Sequence, residues 1–257
     1  MVESRTGRYV RAVPLERDAA SSDLAVDATL RAAATRALRG EPPLPVQRGD
    51  LRRKVRVRTR KALVVFAVDA SDSMATHERL RVAKSAALAL LRAAYLRRDR
   101  VAVVVFEGET ARVVLPPTQS IALAKAKLRS LPVGGATPLA AGLMAAWGLI
   151  RTERLREPQT APTLVLLSDG RGNVSLDPGS DPRLEVLSIG ERMRADGIGA
   201  VLIDAGSLGP TPVQLVELAQ RLGGTLVRVG PLGTGAVVAA CNEACDQVWH
   251  RAAVRNS

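Results

Sequence analysis

Four short runs, ALVVFAV at 62–68, VAVVVF at 101–106, TLVLLS at 163–168 and GAVLID at 199–204, constrain this chain more than anything else in it. Each is a near-continuous stretch of Val, Leu, Ile or Ala of strand length, the pattern of a strand covered on both faces. Strands of that kind sit inside parallel sheets flanked by helices. Aromatic residues make up only 2% of the sequence, so the core has to be built from the aliphatic side chains. With 257 residues and 47% hydrophobic content, the chain can bury one α/β core plus an appended segment.

The segments between these runs have helical spacing. Helices are expected near 78–97, 120–130, 138–155, 183–195, 212–222 and 234–254, with a further short strand near 225–229. ARVVLPP follows the second run after the turn EGET, too closely for a helical crossover, so it is expected to pair antiparallel at an edge. The expected fold is α/β: an open, mostly parallel twisted sheet with helices on both faces and one short antiparallel edge strand.

Upstream, SSDLAVDATLRAAATRALRG reads as a helix with a Ser/Asp start and a Gly stop. EPPLPVQRGD breaks regular structure, and LRRKVRVRTRK alternates basic and apolar residues like an edge strand or extended arm. Residues 1–60 are therefore expected to be a lead-in, helix plus basic arm, packed on a main domain of residues 61–257. The RGD at Arg48 to Asp50 invites an integrin-ligand reading, but tripeptides recur by chance and its arginines are expected to face solvent or an acidic partner.

The net charge of +12 and pI near 11 rest almost wholly on arginine. Nucleic-acid binding would usually add stacking aromatics or a recognisable module, and neither is visible. The first residues lack an apolar signal core, and no apolar run is long enough to span a bilayer, so a cytoplasmic protein away from the membrane is expected. Cys241 and Cys245 lie one helical turn apart and read as small apolar residues on a helix face. His250 does not complete a metal set with them.

Ligands of open α/β sheets bind outside the carboxyl ends of the strands, where strand order reverses. At such ends the chain places Asp69, Ser71 and Ser73 after the first run and Asp169 after the third, with Thr137 in the loop LPVGGATPLAAGL. All supply oxygen, and none supplies imidazole or thiolate. A small hard cation such as Mg²⁺, or Mn²⁺ in its place, accepts that donor set. Two carboxylates and neutral hydroxyls would leave the ion electrophilic at an open position that a carboxylate from another chain could fill. Each residue also has a plainer reading: Ser71 or Ser73 as a helix N-cap, Thr137 with Pro138 as N-cap and N1. Enzyme readings lack their parts. A phosphatase of the aspartyl-phosphate type would want a carboxylate where Ser71 stands, a serine hydrolase would want a base, and the Gly-rich Lys-Ser/Thr phosphate loop is missing.

DASDS with Thr137 and Asp169 resembles the metal-ion-dependent adhesion site of von Willebrand factor A (integrin I-type) domains. GRYVRAVP, LAVDATLRAAA, LPPTQS, LPVGGATPLAAGL and LLSDGRGNV resemble more narrowly the C-terminal part of the magnesium chelatase D subunit. The resemblance implies that Asp69, Ser71, Ser73, Thr137 and Asp169 carry Mg²⁺. It also implies a non-catalytic platform coupling an AAA+ ATPase to a large subunit that inserts a metal into a tetrapyrrole. The family's AAA+-like module and acidic, proline-rich linker have no counterpart in these residues, so a chelatase role is expected to need separate partner chains. Arg52, Arg53 and Lys54 in the basic arm are expected to meet an acidic segment of that kind. Asp72 stands where the family commonly has glycine. The competing readings are a free-standing adhesion-site domain acting with another AAA+ protein, and an arginine-rich nucleic-acid-binding protein.

Overall fold

The computed structural model describes residues 2–15, 23–40, 42, 45–58, 62–72, 85, 87–88, 91–92, 94–96, 98–130, 134–204, 211–228, 239 and 243. The chain divides into two compact units, Met1–Arg60 and Lys61–Ser257.

In the first unit, strand β1 (Val2–Pro14) pairs antiparallel with β2 (Arg52–Arg58), from Val2 opposite Arg58 to Pro14 opposite Arg52, with register shifts between Glu3 and Arg8 and between Tyr9 and Arg11. The basic arm is thus one strand of a ribbon. Its partner, interrupted by Arg5, Arg8 and Arg11, carries no apolar run that would mark it as a strand. Between them lies helix α1 (Val26–Ala37), which starts later than the Ser/Asp signal suggests: its N-cap is Ala25, with no side-chain cap. Asp23 is otherwise engaged, accepting from Arg56 Nε at 2.6 Å and lying 3.8 Å from Lys54 Nζ. Arg48–Asp50 forms a 3₁₀ turn, and Asp50 is buried.

The second unit is a six-stranded sheet in the order β5-β4-β3-β6-β7-β8. Its strands are β3 (Ala62–Asp69), β4 (Arg100–Glu107), β5 (Thr110–Thr118), β6 (Ala161–Ser168), β7 (Gly199–Asp204) and β8 (Thr225–Arg228). All neighbours are parallel except β5, which runs antiparallel to β4 at the edge. Strands and edge hairpin agree with the sequence reading to within two residues at either end where a span was expected.

Alternation along β3 sends successive side chains to opposite faces. Val64, Phe66 and Val68 join Val103, Val105, Val165 and Ile203 on one face, covered by Ala124 and Leu128 of α2 (Ile121–Arg129) and by the helical Ala87, Leu91 and Ala94. Leu63, Val65 and Ala67 join Val104, Leu164, Leu166 and Leu202 on the other. There the cover is α3 (Leu139–Arg156), α4 (Pro182–Ala195) and α5 (Val213–Leu222), through Leu143, Ile150, Ile189, Leu215 and Leu218 among others. Each fully buried aliphatic side chain contributes about 1.5–3 kcal/mol relative to exposure. Helix α3 lies so close to β4 that a Cβ on Gly142 would come within 2.4 Å of Phe106 Cδ1. Most of the helices expected at 78–97 and 234–254, with Ser73, His77, Cys241, Cys245 and His250, lie outside the described residues.

β3 has β4 on one side and β6 on the other, so the connections leave it in opposite directions. The reversal lies at the carboxyl ends of β3 and β6, and ligands of open α/β sheets bind at such a point.

Candidate metal centre

Asp69 is the last residue of β3, and Asp169 is the first residue after β6. Both are buried, Asp69 completely, as are Ser71 and Thr137. An isolated buried carboxylate is costly, so the fate of each oxygen matters. Oδ1 of Asp69 accepts from the Ser71 backbone N–H at 3.0 Å and from the Ser71 hydroxyl at 2.5 Å. Oδ2 accepts from the Ser168 hydroxyl at 2.7 Å. Burial nevertheless pushes the Asp69 carboxyl above its ordinary range. The bonds from Ser71 and Ser168 oppose that push, and the charge of Asp169 adds to it.

Backbone hydrogen bonds join three loops here. Ala70 N–H donates to Phe106 O, which turns the chain out of β3. Gly134 N–H donates to Ala70 O at 2.7 Å and Asp72 N–H to Gly135 O at 2.9 Å, tying the loop before α3 to the loop after β3. Asn173 ties the same loop to the one after β6: its Oδ1 accepts from Thr137 N–H at 2.8 Å, and its own N–H donates to Thr137 O at 3.1 Å. Asp69, Ser71, Thr137 and Asp169 therefore belong to one hydrogen-bonded group of loops. Ser73 lies outside the described residues.

For Thr137 the capping reading finds no support. Helix α3 has Pro138 as its N-cap with no side-chain cap, so the Thr137 hydroxyl does not serve that helix. The Ser71 hydroxyl is turned toward Asp69. Asp72 is exposed, with Oδ1 3.8 Å from where a side chain on Gly134 would begin, at the rim of the group. Arg171 has an exposed side chain with Nε 3.9 Å from Asp169 Oδ2, a contact of little energetic weight at that exposure.

The donor set fits a hard cation. Among the described residues no group of three or more His, Cys, Asp or Glu is placed to hold a metal, so a soft thiolate or imidazole site is not offered by them. What they offer is two buried carboxylates and two hydroxyls, oxygen donors of low total charge. A cation beside Asp69 and Asp169 would offset the cost of burying the Asp69 charge and, to a lesser degree, the repulsion from Asp169.

Sequence reasoning missed Ser168 and Asn173. Neither donates to the centre in any pattern along the chain; their roles depend on partners 99 and 36 residues away. The basic arm also differs from a free bait. Arg52 donates to Gly49 O and Leu51 O, and Lys54 faces Asp23.

Residues 64–171 match the family model of the von Willebrand factor type A domain. This chain carries a von Willebrand factor A domain. Residues 6–56, within the first unit, match a second model, the AAPxQ domain. The chain is 38% identical over 214 residues to the magnesium-chelatase 67 kDa subunit of Heliobacterium mobile, matching 78% of this chain and 32% of that one. To the magnesium-chelatase 60 kDa subunit of Rhodobacter capsulatus it is 37% identical over 228 residues, 84% of this chain and 40% of the other. An uncharacterized Mycobacterium tuberculosis protein, Rv2850c, is 40% identical over 80% of this chain and 32% of its own length. The chain thus spans between about a third and two fifths of the length of these relatives. Among solved structures, the A domain resembles a von Willebrand factor type A protein from Catenulispora acidiphila, with TM-score 0.53, 21% identity, 75% of this chain and 43% of that one. It also resembles BatB from Bacteroides thetaiotaomicron, with TM-score 0.56, 19% identity, 75% of this chain and 98% of that one. These two likenesses concern the fold. Among the described residues no helix is long and apolar enough to cross a membrane.

Proposed function

We propose that the A domain is a metal-dependent interaction module of a chelatase-like assembly. In this reading Asp69, Ser71, Ser73, Thr137 and Asp169 hold one Mg²⁺ or Mn²⁺ as an adhesion site, and the domain itself performs no catalysis. The observation that carries the reading is the presence of two buried carboxylates, Asp69 and Asp169, at the strand-order reversal, where Asp69 accepts from the Ser71 N–H and hydroxyl and from the Ser168 hydroxyl. When bound, such an ion supplies an electrophilic position suited to a carboxylate of another chain.

The protein's own residues do the rest. Ser168 and Ser71 hold the Asp69 carboxylate in one orientation, so its charge is fixed before any ligand arrives. The loop carrying Thr137 is held against both strand-end loops. Similarity to magnesium-chelatase subunits supports an AAA+ ATPase and a large tetrapyrrole-binding subunit as the partners. The Arg52, Arg53 and Lys54 segment of β2 adds a positive surface toward an acidic segment.

The test uses a partner identified by Mg²⁺-dependent pull-down. Its binding is measured to the wild-type protein and to Thr137→Ala, each with Mg²⁺ and with EDTA, with thermal melts to confirm folding. The reading expects strong association only for wild type with Mg²⁺. Equal binding in all conditions would remove the adhesion site from the contact.

A further inference from the structure

Thr137 sits in a loop without regular structure, ahead of a helix whose N-cap, Pro138, lends it no side-chain cap. Its position is fixed from outside that loop. Asn173 takes the Thr137 N–H on its side-chain oxygen and gives its own N–H to the Thr137 carbonyl, so both backbone polar groups of Thr137 are engaged by one residue. Asn173 lies four positions beyond Asp169 on the loop after β6. The clasp therefore sets the distance between Thr137 and Asp169 directly.

The loop is built to reach that position. Gly170 has φ +74°, in the left-handed region that glycine adopts without strain, and a Cβ there would come within 2.8 Å of Leu215 Cβ. At Gly172 a Cβ would lie 3.0 Å from the Leu139 side chain, at the start of α3. The two glycines let the loop pack against α5 and α3, while Arg171 between them points outward. Asn173 then arrives beside Thr137 with its side chain as the only part of the clasp that substitution can remove.

We propose that Asn173 is the positioning residue of the metal centre: its side-chain amide holds the Thr137 hydroxyl in register with Asp169, so cation affinity depends on it although it is no ligand. The inference rests on the metal-binding reading above. A backbone N–H buried with Thr137 and deprived of its acceptor would seek another, and the loop would shift with it.

The experiment titrates MnCl₂ into the full chain, following heat by calorimetry and free Mn²⁺ by electron paramagnetic resonance. The variants are Asn173→Ala, Asn173→Ser, Asn173→Asp and Asp69→Ala, each also melted in EDTA. Asn173→Ala and Asn173→Ser are expected to bind Mn²⁺ about tenfold more weakly, the scale of loss when an outer partner of a metal site is removed. Their metal-free melting should fall only modestly, as for the loss of one hydrogen bond. Asn173→Asp keeps the acceptor oxygen and adds negative charge, and should bind at least as tightly as wild type. If Asp69→Ala abolishes binding while the Ala and Ser variants bind as wild type does, the clasp is irrelevant and the inference is overturned. Should either of those two fail to fold, the other decides. Wild type that takes up no Mn²⁺ at all would overturn the metal reading, and this inference with it.

Discussion

The hydroxyl of Ser168 donates to Oδ2 of Asp69 at 2.7 Å, joining the last residues of β6 and β3 across a sequence separation of 99 residues. The same hydroxyl accepts from Gly170 N–H at 3.0 Å, so one serine fixes the Asp69 carboxylate and begins the turn that presents Asp169. Both residues are completely buried. Ser168→Ala would leave a buried carboxylate oxygen and a backbone N–H short of a partner, a loss on the order of 1–3 kcal/mol. Denaturant unfolding should show it. In an Asp69→Ala background the same change should cost clearly less, because the two residues act on one another. Equal losses in both backgrounds would mean that the bond contributes nothing.

The close approach of α3 to β4 gives a second expectation. Alanine normally stabilises a helix interior over glycine by about 1 kcal/mol. At Gly142 a methyl would sit 2.4 Å from a Phe106 ring carbon, and overpacking of a filled core costs about 1–3 kcal/mol. Gly142→Ala should therefore lower the melting temperature despite the better helix propensity. A rise would show that the ring moves aside without cost.

Asp50 closes the Arg-Gly-Asp tripeptide, yet it faces inward. Its carboxylate accepts from Arg36 Nη2 at 2.9 Å and from Gln47 N–H at 2.8 Å, and only 5% of the residue is exposed. The Arg36 guanidinium, followed by the Gln47 amide, holds the carboxyl below its ordinary range. A depressed folded value means that the proton binds less tightly in the folded than in the unfolded state. The stabilisation is then fully present above the ordinary value of 3.8 and is lost as pH falls through the lower folded value. Carboxyl carbon NMR should find the Asp50 midpoint below 3.8. A midpoint at or above that value would contradict the pairing, and with it the placement of this aspartate away from any external receptor.

The positive ribbon makes a third kind of claim. If Arg52, Arg53 and Lys54 meet an acidic segment, a labelled polyglutamate peptide should bind the wild-type protein at low salt and leave it at high salt, as screening shortens the reach of exposed charges. Replacing the three by Ser should remove most of that binding. Part of the surface already has internal partners, Lys54 with Asp23 and Arg52 with backbone carbonyls, so a modest affinity is expected. Identical salt curves for the two proteins would leave the ribbon a solvated surface.

What the sequence shows and what it hides follow from the range of the interactions involved. The β3, β4, β6 and β7 strands are legible because each is an apolar run covered on both faces, and β5 because a four-residue turn leaves no room for a crossover. β1 is not: its residues carry charge and it is a strand only because β2 pairs with it. The Ser21 to Asp23 signal misplaces the start of α1 because Asp23 bonds to Arg56, distant in sequence. Of the centre, Asp69, Ser71, Thr137 and Asp169 stand out as oxygen donors at strand ends and in a Gly-Gly loop, whereas Ser168 reads as the end of a strand and Asn173 as an ordinary loop residue. Their contribution lies in contacts that no local pattern encodes.

The most direct test of the account is whether the buried carboxylates at the ends of β3 and β6 hold a cation. Calorimetric titration of Mg²⁺ or Mn²⁺ into the full chain should give one weak site, with Asp69→Ala and Asp169→Ala each losing it while remaining folded in thermal melts. A wild-type protein that binds neither ion, or an Asp69→Ala variant that binds as well as wild type, would contradict the assignment of these strand ends as a metal centre.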